Sequence, residues 1–174
     1  MLGEETRSGA EETSGPTARV PGRLKFLVCV DHRRQSRVAL RFACRRARNT
    51  GGTVSLLHVI EPPEFQHWMA VGDTMEGERR EEAETLLQEL SAEVNELAGI
   101  MPELVLRDGR VGEEILAQVA EDPTVDLLVV GAAAPDDKDF SLITFLAGKL
   151  VGHLPIPLVI VPGNLTDTEI DNMT

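Results

Sequence analysis

Five short apolar runs, separated by segments of helical period, constrain this chain more than any other feature. They lie at 24–30, 53–60, 103–107, 125–130 and 157–161. Each is apolar on successive residues, as a strand buried on both faces must be. Between them, apolar residues recur at helical spacing over 34–49, about 75–98, 112–121 and about 140–153. Strand and helix alternating in this way demand right-handed crossovers and a parallel sheet covered on both faces. The expected fold is therefore α/β, a single-domain doubly wound parallel sheet with helices on both faces.

The helical stripes differ in character. In the first helix the stripe is Ala39, Leu40, Ala43, Cys44 and Ala47, small residues that let a helix lie close on a sheet. Arg37, Arg41, Arg45 and Arg48 form a ridge on roughly the opposite side. Gly51 and Gly52 end that helix. The second helix buries Ala83, Leu86, Leu87, Leu90, Val94 and Leu97 and turns eight glutamates outward. The third turns Ile115, Leu116 and Val119 inward. Thr166 and Glu169 have capping-box spacing, which predicts a short helix near 167–172.

The ends differ from the middle. Residues 1–22 are rich in Gly, Glu, Ser and Thr and read as a disordered tail; 23–163 form the domain, and 164–174 an extension. Phe65, His67, Trp68, Met69 and Val71 make an apolar loop with three readings, a lid on the cleft, a partner contact or, as expected first, a segment folded back on the core. Seventeen basic residues against 29 acidic ones give a net charge of −12, which argues against broad nucleic-acid or anionic-membrane binding. No apolar run reaches membrane-spanning length, and no signal core opens the chain, so a cytoplasmic location is expected. Cys29 and Cys44 lack metal-ligand spacing and the four histidines are scattered, so no metal site is expected.

In order and spacing, the residues 28–31 (Val-Cys-Val-Asp), 57–60 (Leu-His-Val-Ile), 112–116 (Gly-Glu-Glu-Ile-Leu), 125–131 (Val-Asp-Leu-Leu-Val-Val-Gly) and 157–161 (Pro-Leu-Val-Ile-Val) resemble the universal stress protein family. The resemblance covers about 24–161. It implies a five-stranded sheet of order 3-2-1-4-5, a homodimer joined near the last strand, and a stress-linked role. Part of that family binds ATP through Gly, two residues, Gly, nine residues, Gly, then Ser or Thr. On this chain those positions fall on Gly131, Ala134, Thr144 and Phe145, so only the first is kept. The resemblance also places Val30, Asp31, Val59 and Ala132 beside the nucleotide.

Physical chemistry bears on each candidate. Asp31 ends a strand and is equally a helix-capping residue. The loop 132–139 would offer backbone N–H groups to phosphate, but Asp136, Asp137 and Asp139 stand there with only Lys138 opposing. One carboxylate ~6 Å from a phosphate charge costs about 3 kcal/mol at an effective dielectric near 20. Two readings stay open: Asp136, Asp137 and Asp139 as Mg²⁺ ligands, or Asp139 as the N-cap of a helix with its neighbours in solvent. The dimer strand would be Pro157, Leu158, Val159, Ile160 and Val161, which otherwise leaves an open sheet edge. The ridge Arg37, Arg41, Arg45 and Arg48 is either a solvated face, paired with glutamates of the chain's own long helix, or a patch for an acidic protein, a phosphate or RNA.

No catalytic constellation is present in the sequence. The expectation is a dimeric binding and regulatory protein of the stress response, not an enzyme, with no cofactor and no tight ATP binding. The alternatives are an ATP-binding, slowly hydrolysing protein whose Mg·ATP state switches partner binding, and a scaffold for an acidic partner.

Overall fold

The computed structural model describes residues 22–62, 72–133, 148 and 150–174, with side chains from 75 onward in the second of these segments. The expected tail, the loop 65–71 and most of the helix expected at 140–153 lie outside them. The described elements are β1 (Lys25–Cys29), α1 (Arg34–Thr50), β2 (Thr53–Ile60), α2 (Gly72–Ala98), β3 (Glu103–Asp108), α3 (Val111–Glu121), β4 (Leu127–Ala132), β5 (Leu158–Pro162) and α4 (Asp167–Met173). One sheet holds all five strands, each parallel to its neighbours, in the order β3-β2-β1-β4-β5. This is the doubly wound α/β architecture expected from the alternating pattern, with the strand order that the resemblance implies.

Two cores follow from the period of two along each strand. Phe26, Val28, Val30, Val54, Leu56 and Val129 face α1, α2 and α4; Leu27, Leu57, Val59, Leu128 and Val130 face α3 and Leu150. The small-residue stripe of α1 is fully used: Ala39, Leu40, Ala43, Cys44 and Ala47 are all buried. Gly51 stops α1 by taking a left-handed φ of 66°, and the Gly52 N–H then donates to the Ala47 carbonyl at 2.8 Å.

Element boundaries moved slightly from expectation. β4 begins two residues late and runs through Gly131, because its ladder with β5 continues from Leu128 facing Leu158 to Ala132 facing Pro162. Ahead of it, Asp126 is bound to β1 twice: its N–H donates to the Lys25 carbonyl at 2.9 Å and its carboxylate accepts from the Lys25 N–H at 2.8 Å. α2 begins three residues earlier than its apolar stripe suggests.

What sets α1 against the sheet is a close backbone approach. A Cβ built on Gly131 would land on the Gln35 carbonyl, and one on Gly163 would meet the Ala132 oxygen and the Gln35 side chain. The first turn of α1 therefore rests on a floor with no side chains.

The C-terminal helix is fixed to the same face. Thr166 caps it in both directions, its hydroxyl accepting from the Glu169 N–H and its own N–H donating to the Glu169 carboxylate at 2.8 Å. Ile170 is completely buried in the α1–α2 core. Arg41 donates to both oxygens of Asp171, at 2.9 and 2.7 Å. At the amino ends of the strands, Lys25 donates to Asp122 at 2.7 Å and to Glu103 at 2.5 Å.

Two outcomes are expected. Gly131→Ala should cost on the order of 1–3 kcal/mol through overpacking against Gln35. At this chain length each kcal/mol lowers Tm by roughly 2–4 °C; an unchanged melting curve would contradict the close approach. The second concerns acid. Hydrogen bonds from Arg41 hold the Asp171 carboxyl below its usual range, and the Thr166 N–H and hydroxyl do the same for Glu169. Carboxyls lowered by folding stabilise the fold above their unfolded pKa near ~4 and lose that contribution as pH falls through the lowered values. Hydrogen exchange of α4 should therefore rise below about pH 4 while β1, β2 and β4 stay protected. Continued protection of α4 as both carboxyls titrate would show that Ile170 and the bonds from Arg46 and Asn49 to the Thr174 carbonyl hold it without the carboxylates.

Candidate functional site

At the carboxyl ends of the strands the candidate residues fall into one row. Cys29 faces Leu57 across β1 and β2, and Val28 faces Val129 across β1 and β4. Carrying that register forward sets Asp31 beside Val59 on one side and Ala132 on the other. The row spans the gap between β1 and β4, where the connections leave in opposite directions and open α/β sheets take ligands. Of the residues expected near a nucleotide, Val30, Asp31, Val59, Gly131 and Ala132 are thus brought together. Ala134, Asp136, Asp137, Asp139, Thr144 and Phe145 lie outside the described residues.

The turn from β1 into α1 is closed on itself. The Asp31 N–H donates to the Ser36 hydroxyl at 2.9 Å, and the Asp31 carboxylate accepts from the Arg33 N–H at 2.8 Å. Arg33 Nε lies 4.0 Å from the second carboxylate oxygen. Asp31 thereby closes a turn ahead of α1 rather than capping it, since the N-cap is Arg33 and no side chain caps that helix, and the Asp31 side chain remains 44% exposed with lone pairs to spare.

Val30 is also engaged. Its N–H donates to the Leu57 carbonyl at 2.9 Å, and its carbonyl lies 2.7 Å from His58 Nδ1. A carbonyl only accepts, so His58 carries its proton on Nδ1. His32 meets the His58 ring edge-on, with centroids 6.3 Å apart. In β2, neighbouring residues alternate in the direction of their backbone groups. Since the Leu57 carbonyl points at β1, the N–H and carbonyl of Val59 point the same way, beyond the end of β1.

Sequence reasoning missed two features here. His32 and His58 read as scattered residues, although one follows Asp31 and the other shares its strand with Val59. The second is a cleft of about 430 Å³ between His32 and α2, walled by Glu78, Glu81, Glu82 and Glu89. The helical spacing of those glutamates marks one face, but only the fold shows that this face borders the site. The wall is anionic and opposes the approach of a polyphosphate, as Asp136 and Asp137 are expected to.

The remaining candidates lie elsewhere. Arg37 pairs with Glu93 of α2 at 2.7 Å and sits 3.9 Å from Glu89, whereas Arg41 and Arg45 lie under α4. Arg48, in the last turn of α1, is exposed. Pro157 precedes β5, and Leu158, Val159, Ile160 and Val161 form it along the sheet edge. Burial pushes the Cys29 thiol up to about 12, with Asp31 and Glu61 adding to the effect, and burial raises Cys44 to about 12 as well. Both stay protonated at neutral pH, so neither is a nucleophile or a thiolate ligand. Among the described residues no group of three His, Cys, Asp or Glu is placed to hold a metal ion. Among them, too, no helix is long and apolar enough to cross a membrane.

No curated protein matches the chain. Solved structures do. Universal stress protein UspA from Lactobacillus plantarum is 17% identical, with a TM-score of 0.65 over 79% of this chain and 97% of that one. A universal stress protein family protein from Arabidopsis thaliana, solved with AMP bound, is 17% identical, with a TM-score of 0.55 over 80% and 91%. The universal stress protein from Archaeoglobus fulgidus in complex with dAMP is 19% identical, with a TM-score of 0.52 over 80% and 98%. These likenesses establish the fold, and the family's own profile extends over nearly all of it. Matching that profile from residue 23 to residue 162, the chain belongs to the universal stress protein family.

Proposed function

We propose that the chain acts by binding rather than by turnover, as a dimeric regulatory protein of the stress response in the cytoplasm, without tight ATP binding. The observation that carries this reading is the packing of Gly131. It is the one motif glycine kept, and Gln35 of α1 requires it whether or not a phosphate is present. Its survival is thus no argument for a phosphate cradle. The other motif positions, Ala134, Thr144 and Phe145, supply a methyl, a branched side chain and a ring where the family pattern has two glycines and a hydroxyl. The acidic wall of α2 adds repulsion of the same sign.

A second reading has its own support. The row of Asp31, Val59 and Ala132 is kept, and the Val59 backbone groups point beyond the end of β1. Such contacts do not depend on side chains. Two proteins of the same fold were solved with AMP and dAMP, which carry one phosphate each. A nucleoside monophosphate would use the row while making the smallest demand on the altered loop.

Calorimetry separates the two. Mg·ATP is expected to bind with Kd above roughly 100 µM, since about 3 kcal/mol of repulsion is more than a hundredfold in affinity. AMP binding tighter than Mg·ATP, weakened by Asp31→Ala, would select the monophosphate reading. Low-micromolar Mg·ATP binding that weakens in Asp136→Asn/Asp137→Asn would make those aspartates metal ligands and overturn the proposal.

The dimer is argued from β5. Pro157 hands its carbonyl to the Leu128 N–H, and the Gly163 N–H donates to Ala132. By alternation, Leu158 and Ile160 turn their backbone groups away from β4, along an edge that a second copy would cover. Ile160 is 39% exposed on that strand. Sedimentation at micromolar protein should give a dimer, and Ile160→Lys should shift it toward monomer. A wild-type monomer at every concentration tested would remove the dimer from the proposal.

A further inference from the structure

We propose that the arginine face of α1 is a docking surface for an acidic amphipathic helix, and that α4 occupies it in cis as a displaceable latch. This concerns a different face from the nucleotide row and does not depend on it. α1 carries six arginines and no acidic residue, in a chain of net charge −12. α4 carries Asp167, Glu169 and Asp171 and no cation. Charge thus selects the class of ligand, and α4 displays its form: one branched aliphatic anchor, Ile170, followed by a carboxylate that Arg41 grips through two nitrogens.

The hold is partial. Arg41 lies 3.4 Å from Asp167, a carboxylate left largely in solvent. Arg45 Nε is buried and lies 3.3 Å from Asp171, yet it makes no aligned hydrogen bond. Asp171 cannot serve both guanidiniums well, so the face keeps an unsatisfied buried donor that a better-matched carboxylate would satisfy. A helix of seven residues is too short to persist without the surface it lies on. Its covalent tether is the stretch between β5 and Thr166, and at its far end Arg46 and Asn49 donate to the Thr174 carbonyl at 3.4 and 2.9 Å. A short tether gives an effective concentration in the millimolar range, and a free ligand must exceed that to displace the latch. Its ion pairs are partly exposed and weaken with salt.

The probe is the acetylated peptide of residues 164–174, titrated to millimolar concentration into the isotopically labelled full chain and followed by NMR at the α1 amides. Asp171→Arg sets like charges against Arg41 and Arg45 and should free the face. Half-saturation is expected at a peptide concentration at least tenfold lower than for wild type, and adding Arg41→Glu should abolish the response. If Asp171→Arg loses cooperative unfolding, Ile170→Ala weakens the latch more gently and should shift the titration in the same direction. Equal titration of wild type and folded variant, or no response in either, overturns the proposal. If the peptide instead splits a wild-type dimer into peptide-bound monomers by native mass spectrometry, the face takes α4 from a second copy and the cis latch is wrong.

Discussion

The contact on which the other features depend is the rest of Gln35 on the floor made by Gly131 and Gly163. It sets the height of the first turn of α1 over β4, and so the path of the chain from β1 into that helix. Asp31 and Ser36 then have only one way to meet, and their hydrogen bond fixes the loop that borders the ligand gap. The same seating brings the alanine stripe of α1 down onto β1 and β4, where residues larger than Ala43 and Ala47 would hold the helix off. Structure and site geometry therefore share one requirement, that no side chain project from position 131 of β4.

Charge is organised around that helix. α1 is a cationic element in an acidic chain, and three of its six arginines pair with two anionic neighbours, Arg37 with α2 and Arg41 and Arg45 with α4. Individually these pairs are partly exposed and contribute little. Their arrangement matters more than their sum, since it decides which faces stay negative. The glutamates α2 does not spend on Arg37, Glu78, Glu81 and Glu82 among them, line the cleft beside His32. The wall of that cleft is anionic even though Arg33 and Arg34, both exposed, stand at the same end of α1. A second cluster, Arg107 with Glu114, Gln118 and Glu121, ties the outer strand β3 to α3 in the same self-compensating way.

Much of this was legible in the residues, and the exceptions have physical causes. Apolar runs and helical stripes located the strands and helices because burial on both faces leaves no alternative reading for them. The Thr166–Glu169 spacing predicted α4 to within a residue, since a capping box is a local interaction written in adjacent positions. What α4 packs against was not legible. Arg41 and Asp171 are 130 residues apart, and nothing local announces their pairing. The arginine ridge read as a solvated face or a docking patch, and only tertiary structure shows its middle under the chain's own last helix. His58 was missed for a related reason: its partner is a backbone carbonyl, which has no sequence signature.

Gly131 shows the deeper limit of reading motifs. A glycine in a phosphate-binding pattern and a glycine under a helix are the same letter, and both uses exploit the missing Cβ. In this chain the second use is sufficient, since the Gln35 carbonyl fills the space a methyl would need. A motif that survives at one position can therefore persist for packing after its chemistry is gone. The positions able to report on the chemistry are those with no second use, and Ala134, Thr144 and Phe145 have all departed from the pattern. Asp31 stands between these cases. Its carboxylate is committed to the Arg33 N–H, but that bond occupies one oxygen, and the exposed remainder leaves binding capacity that packing does not explain.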